Sequence, residues 1–312
     1  MTKPDILFLA PLPEFLSAPL RARYECHECF GDTDTSALVA RIGQSIRGIV
    51  GSGGTNYGRE VLERLPCVEI ISVFGAGYDG VPVGYCQGRG IRVTNTPDVL
   101  TDDVADIALA LVLMTSRKLA AANRYLHDGK WPGGPFELAS SLRGKAAGIL
   151  GLGRIGKGIA ARLGVLGMDI LYHGRKAQPV PFRFVDSLID LAHESDFLVV
   201  ACAGGAETRH LVNADVLAAL GREGTLINIA RGSIVDEAAL VLALEAGTIN
   251  AAGLDVFENE PHVSAGLLKC DRTVLLPHVG SATRETRGAM ADLVVRNLAA
   301  HFAGQPLLTP VV

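Results

Sequence analysis

The sequence predicts an α/β protein built of two doubly wound parallel-sheet domains with a cleft between them. Three observations carry this expectation. The chain has 312 residues, and at about 100–200 residues per domain that suggests two. Short apolar runs alternate with amphipathic or turn-rich stretches along nearly the whole chain, which is the pattern of βαβ units. Glycine clusters end several of the runs, at Gly51-Ser52-Gly53-Gly54 and Gly75-Ala76-Gly77, where strand-end loops must turn tightly.

The first series places strands at Asp5–Ala10, Gly48–Val50, Val68–Val73 and Ile91–Thr94. Asn95-Thr96-Pro97-Asp98 interrupts it. Thr101 or Asp102 then caps a long helix carrying Val104, Ile107, Leu111 and Met114 at helical spacing. That helix is expected to run to about Leu126, before Gly129, Pro132, Gly133, Gly134 and Pro135 break it. From Lys145 a second series begins, with buried strands expected at Ala146–Leu150, Asp169–His173, Phe197–Ala201, Thr225–Ile229, Gly253–Val256 and Thr273–Leu276. Helices are expected at Ala214–Leu220 and Asp236–Ala246, and one amphipathic helix fills most of the chain after Ser281.

Composition narrows the function classes. Hydrophobic residues make up 48% and charged residues 20%, enough apolar material to build real cores. Lys+Arg total 29 against Asp+Glu 33, which argues against a generally basic nucleic-acid binder. No apolar run approaches the ~20 residues that span a bilayer, so no membrane partner is expected. The stretch Met1 to Ala10 reads as a first strand and not as a signal peptide. Six cysteines are no disulfide scaffold, and the expectation is a reduced, cytoplasmic protein. Cys26-His27-Glu28-Cys29 has no second ligand pair at zinc spacing, so no metal site is expected.

Gly151-Leu152-Gly153-Arg154-Ile155-Gly156 follows an apolar strand directly and opens a helix with Ile155, Ile159, Leu163 and Leu166 on its inner face. With a second strand one βαβ unit later, this context marks a Rossmann dinucleotide-binding domain. Gly151 permits the tight turn, Gly153 lets backbone approach a pyrophosphate, and Gly156 lets helix and strand pack closely. The helix N-terminus offers unpaired N–H groups and a partial positive charge to phosphates. At the end of the next strand an NAD enzyme usually carries Asp or Glu for the ribose 2′-hydroxyl. Here the chain reads Tyr172-His173-Gly174-Arg175-Lys176. Arg175 can grip a 2′-phosphate with its fork and Lys176 adds charge. NADPH is therefore the preferred cofactor, with NAD possible.

Three later segments fall at strand ends, where open α/β sheets bind ligands. They are Asn228-Ile229-Ala230-Arg231-Gly232, Gly253-Leu254-Asp255-Val256-Phe257-Glu258-Asn259-Glu260-Pro261 and Leu276-Pro277-His278-Val279-Gly280-Ser281. An arginine, a carboxylate and a histidine in such places can form an acid–base site. Sequence alone leaves Glu258 and Glu260 both open as its carboxylate.

Taken with Gly75-Ala76-Gly77-Tyr78-Asp79 and Asn95-Thr96-Pro97, these motifs resemble the D-isomer-specific 2-hydroxyacid dehydrogenases, most closely their glyoxylate/hydroxypyruvate reductase branch. The resemblance implies a flavodoxin-like substrate domain at 1–98 and 285–312. A Rossmann domain at 99–284 would be inserted in it, with a homodimerisation arm at about 100–145 that includes Trp131 and Phe136. It implies Arg231 as the group that binds substrate carboxylate and polarises the keto oxygen, and His278 as the general acid. It selects Glu260, before Pro261, as the partner that favours protonated His278. Asp255 and the Ala230 backbone match positions that hold the nicotinamide carboxamide. Arg154, Ile155, Cys202, Thr208, Ile229 and Gly280 complete the cofactor contacts, while Ser52, Gly53, Gly54 and Gly75 cradle the substrate.

The activity implied is NADPH-dependent reduction of glyoxylate to glycolate and hydroxypyruvate to D-glycerate. A bulkier keto acid, phenylpyruvate or 4-hydroxyphenylpyruvate, is the alternative substrate. A dinucleotide-sensing, corepressor-like interaction protein is the alternative from another class.

Overall fold

The computed structural model describes residues 3–31 and 35–312. The chain divides into two compact units, Met1–Leu100 with Thr283–Val312, and Thr101–Ala282.

The first unit begins with β1 (Asp5–Phe8), α1 (Glu14–Arg23), β2 (Glu25–Glu28), α2 (Thr35–Ile42) and β3 (Ile46–Ser52). It continues through α3 (Arg59–Glu63), β4 (Ile70–Phe74), α4 (Val83–Gly88) and β5 (Arg92–Thr94). The five strands pair in parallel in the order β2-β1-β3-β4-β5, the flavodoxin-like doubly wound arrangement. Leu7, Ile49, Ile71 and Val93 lie in its core. The central strands β1, β3 and β4 are apolar because helices cover a parallel sheet on both faces.

The chain then enters the second unit with α5 (Thr101–Ser116), α6 (Leu119–His127), β6 (Ala146–Leu150), α7 (Arg154–Val165), β7 (Asp169–His173) and β8 (Arg183–Phe184). It goes on through α8 (Leu188–His193), β9 (Phe197–Val200), α9 (Ala214–Leu220), β10 (Thr225–Asn228), α10 (Glu237–Glu245), β11 (Ala251–Leu254), α11 (Ala265–Lys269) and β12 (Thr273–Leu275). The sheet is again parallel, ordered β12-β11-β10-β9-β6-β7-β8. The connection from β8 back to β9, on the other side of β6, reverses the winding direction, and the fingerprint loop leaves the sheet there. Finally α12 (Arg284–Phe302) returns to the first unit. There its buried Asn297 accepts hydrogen bonds from the amides of Leu308 and Thr309, at 2.9 and 3.2 Å.

Several elements differ from the sequence expectation. The long helix is two: Lys118 takes a left-handed conformation, φ 52°, and separates α5 from α6. β2 and β8 were not anticipated. Both are sheet-edge strands, β2 rich in polar residues and β8 only two residues long, so the apolar run that betrays a central strand is absent. β11 starts two residues earlier than expected, on Ala251 and Ala252, which carry little β preference. Cys26 lies within β2, and burial pushes its thiol up to about 11. Among the described residues no group of His, Cys, Asp and Glu could hold a metal ion, and no helix is long and apolar enough to cross a membrane.

Candidate active site

The glycine fingerprint is three different physical constraints. Gly151 follows β6 at φ +97°, and a Cβ there would meet the Cα of Cys202 at 2.5 Å. A Cβ on Gly156 would meet the carbonyl oxygen of Gly151 at 2.2 Å, so the first turn of α7 packs on the loop itself. Gly153, which caps α7, has nothing within 4 Å of its added Cβ. Packing explains the outer two glycines and does not explain the middle one. The open face at a helix N-terminus fits the diphosphate of a dinucleotide. Arg154 is exposed and Ile155 partly buried in that same first turn.

After β7 the exposed pair Arg175 and Lys176 occupies a short loop. His173, before it, donates from Nδ1 to the carbonyl of Val185, at 2.8 Å. Gln178, after it, donates its side-chain amide to the carbonyl of Leu152 at 2.9 Å. Sequence reasoning missed Gln178, whose role depends on a partner 26 residues away. Cys202 and Thr208 lie after β9, and the Thr208 hydroxyl donates to the carbonyl of Ala203 at 2.9 Å.

Arg231 follows β10 on a turn shaped by buried Asn228. The Asn228 side chain accepts from the amide of Ala230 at 3.0 Å and donates to the carbonyl of Arg231 at 2.9 Å. Sequence reasoning missed Asn228 too, although Asn is a common turn-former. A Cβ on Gly232 would meet the carbonyl carbon of Phe257 at 1.8 Å, so the Arg231 turn lies directly on the backbone that follows β11.

That backbone carries the two acidic candidates, and the structure separates them. Glu260 pairs with Nδ1 of His278 at 2.7 Å and accepts the Phe257 amide at 3.0 Å. Glu258 instead pairs with Nε2 of His210 at 2.7 Å and with Arg209 at 2.9 Å. Burial works to raise the Glu260 carboxyl. The hydrogen bonds from His278 and Phe257, with the charges of His278 and Arg231, outweigh it and hold the group below the usual carboxylate range. The Arg231 charge therefore acts on the same carboxylate that holds His278.

His278 takes a left-handed conformation, φ 54°. Asp255 explains how this is maintained. It is 2% exposed, and its two oxygens accept the amides of Val279 and Gly280 at 2.8 and 2.7 Å. Its backbone carbonyl accepts the His278 amide at 2.9 Å. Burial pushes the Asp255 carboxyl up, against the pull of the two amides.

In the first unit, the ends of β3 and β4 converge. A Cβ on Gly75 would lie 3.2 Å from the amide nitrogen of Gly53. Ser52 is fixed by its amide and hydroxyl on the Thr55 hydroxyl, at 3.0 and 3.1 Å, and Gly54 is open. The structure thus brings Ser52, Gly53, Gly54 and Gly75 into one glycine-rich corner. Trp131 is 66% exposed, and Phe136 packs on Tyr125 with ring centres 5.4 Å apart.

A parallel seven-stranded sheet, a fingerprint loop with one open glycine, and an Arg, carboxylate and His cluster define a nucleotide-dependent oxidoreductase. The NAD-binding domain of the D-isomer-specific 2-hydroxyacid dehydrogenases matches residues 109–280. The chain belongs to that family and is an NAD(P)-dependent oxidoreductase. It is 46% identical to a glyoxylate/hydroxypyruvate reductase A of Arabidopsis thaliana over 98% of both chains. It is 45% identical to a hydroxyphenylpyruvate reductase of Plectranthus scutellarioides, again over 98% of both. Among solved structures, an NADPH-dependent glyoxylate/hydroxypyruvate reductase from Sinorhizobium meliloti in complex with NADP and malonate superposes with a TM-score of 0.93. That pair is 46% identical, covering 100% of this chain and 97% of the other.

Proposed function

We propose that the protein reduces small 2-keto acids with NADPH, glyoxylate to glycolate and hydroxypyruvate to D-glycerate. The observation that carries the reading is the Glu260 carboxylate, bonded to His278 and under the charge of Arg231. Bound reduced nicotinamide supplies the hydride that reaches the keto carbon. Arg231 binds the substrate carboxylate and polarises the keto oxygen with its rigid fork. His278 gives the proton on Nε2 to that oxygen, so the product is the 2-hydroxy acid. Glu260, on Nδ1, keeps the ring turned for this transfer.

In this reading Gly151, Gly153, Arg154, Ile155 and Gly156 hold the cofactor diphosphate, and Arg175 and Lys176 its 2′-phosphate. Cys202, Thr208, Ile229, Ala230, Asp255 and Gly280 hold the nicotinamide side. Ser52, Gly53, Gly54 and Gly75 supply further contacts to the substrate carboxylate. The arm at about 100–145 is proposed to mediate a homodimer, and the protein to work in the cytoplasm.

The Plectranthus scutellarioides relative supports a second reading, in which 4-hydroxyphenylpyruvate is the substrate and the chemistry is unchanged. Oxidation of NADPH and NADH by the purified protein, with glyoxylate, hydroxypyruvate, phenylpyruvate and 4-hydroxyphenylpyruvate, decides between them. Fast turnover of the two small acids with NADPH is expected. A preference for the aromatic acids replaces the first reading with the second, and no turnover of any keto acid overturns both.

A further inference from the structure

We propose that His210 is a positioning residue for the reaction: through Glu258 it locks the turn that presents Glu260 to His278 onto the turn that presents Arg231. The inference rests on the catalytic reading given above.

His210 touches both turns at once. Its backbone amide donates to the carbonyl of Ser233 at 2.9 Å, two residues after Arg231. Its ring Nε2 reaches Glu258 at 2.7 Å, two residues before Glu260. The segment on either side is stitched to the same place, with the Val212 amide on the carbonyl of Ile234 at 3.0 Å. The turn it holds is also fixed at its amide, since Glu258 N–H donates to Glu237 at 3.1 Å.

The two turns have no slack between them. A Cβ on Gly232 would overlap the Phe257 carbonyl carbon at 1.8 Å and the Glu258 nitrogen at 2.3 Å. A displacement of Phe257–Glu260 therefore moves the Arg231 turn, and it carries Glu260 away from His278. Arg209 also pairs with Glu258 but is 60% exposed in its side chain, and such pairs hold geometry weakly. The remaining side-chain anchor from the segment between β9 and α9 is the His210 ring.

The backbone supports the same assignment. His210 sits at φ 50°, a conformation that is unfavourable for most side chains and persists when the surroundings enforce it. The same is true of His278, at φ 54°. Two histidines in left-handed backbone thus engage the two glutamates of one short turn, Glu258 and Glu260.

The test is a double-mutant cycle on the full-length protein, read by steady-state kinetics with hydroxypyruvate and NADPH. His210→Asn keeps a residue that tolerates the left-handed backbone and is too short to reach Glu258. Glu258→Ala removes the bond from the other side. Each is expected to lower kcat/KM for the keto acid about tenfold or more, as misplacement of a reacting group by about an ångström does. KM for NADPH should stay within about twofold, and the double variant should be no worse than the worse single one. Additive losses, a parallel rise in KM for NADPH, or unchanged keto-acid kinetics in both single variants overturn the role of His210. Arg231→Ala is measured alongside. If Arg231→Ala is inactive while His210→Asn works normally, only the role of His210 falls; if Arg231→Ala works as well as wild type, the catalytic reading falls with it.

Discussion

The side-chain amide of Gln178 donates a 2.9 Å hydrogen bond to the carbonyl of Leu152, at the second position of the glycine fingerprint. The backbone amide of Gln178 donates to the hydroxyl of buried Tyr172 at 2.7 Å. The loop that carries Arg175 and Lys176 is therefore tied to the loop proposed to carry the diphosphate. In the proposed reading, recognition at the two ends of the cofactor's adenosine half shares one scaffold.

Gln178→Ala should loosen that scaffold. A single hydrogen bond is worth about 0.5–1.5 kcal/mol net, so KM for NADPH should rise roughly twofold to tenfold, with kcat nearly unchanged. KM for NADH, which has no 2′-phosphate, should move less. Equal effects on both cofactors would show that Gln178 serves only the diphosphate loop.

Arg175→Asp combined with Lys176→Ala should reverse the cofactor preference. A carboxylate at the end of β7 accepts the ribose 2′-hydroxyl and repels a 2′-phosphate. The ratio of kcat/KM for NADPH to that for NADH should exceed one in the wild type and fall below one in the variant. An unchanged ratio would remove these residues from cofactor selection.

Gly153 and Gly156 should respond oppositely to alanine. At Gly156 the new methyl meets a backbone oxygen at 2.2 Å, and overpacking of this kind costs about 1–3 kcal/mol or more. At Gly153 it meets nothing within 4 Å, so Gly153→Ala should melt like the wild type. The same methyl fills the face left open to the diphosphate, and dinucleotide affinity measured by fluorescence quenching should drop. Wild-type affinity in Gly153→Ala would sink the assignment of that face.

Glu260 sets an acid limit. Its carboxyl is held below the usual range, burial opposing and His278, the Phe257 amide and Arg231 prevailing. A carboxylate lowered in the folded state adds stability above its unfolded pKa and loses it as pH falls through the folded value. The stability difference between wild type and Glu260→Gln should therefore be constant above about pH 5 and shrink below the unperturbed glutamate value of about 4.3. Urea titrations across that range measure it. At neutral pH the variant should lose roughly a hundredfold in kcat.

Much of this was legible in the chain because parallel strands are buried on both faces. β4, β6 and β9 read as near-continuous apolar runs, and the fingerprint follows one of them. β2 and β8 were hidden because an edge strand such as Glu25-Cys26-His27-Glu28 satisfies its pairing with few apolar side chains. The helix break at Lys118 was hidden because lysine has ordinary helix propensity and only its backbone angle makes the turn. At the site, strand ends pointed to Arg231 and His278. The pairing of Glu260 with His278, 18 residues on, was legible only through the resemblance, and the pairing of Glu258 with His210, 48 residues back, was not legible at all. Asn228, Gln178 and His210 act through backbone groups or distant partners, which spacing does not encode.

The return of α12 to the first unit sets an order on synthesis. The Val311 amide donates to the carbonyl of Val93 at 2.7 Å, and the Thr309 hydroxyl donates to the carbonyl of Asn95 at 2.6 Å. Those contacts span more than 200 residues, whereas every strand of the second sheet lies between Ala146 and Leu275. On the ribosome, the contiguous unit holds all its sheet partners while the flavodoxin-like unit still waits for its last helix and tail. A nascent chain of this protein therefore holds every strand of the dinucleotide sheet before residues 283–312, which the other unit requires, have been made.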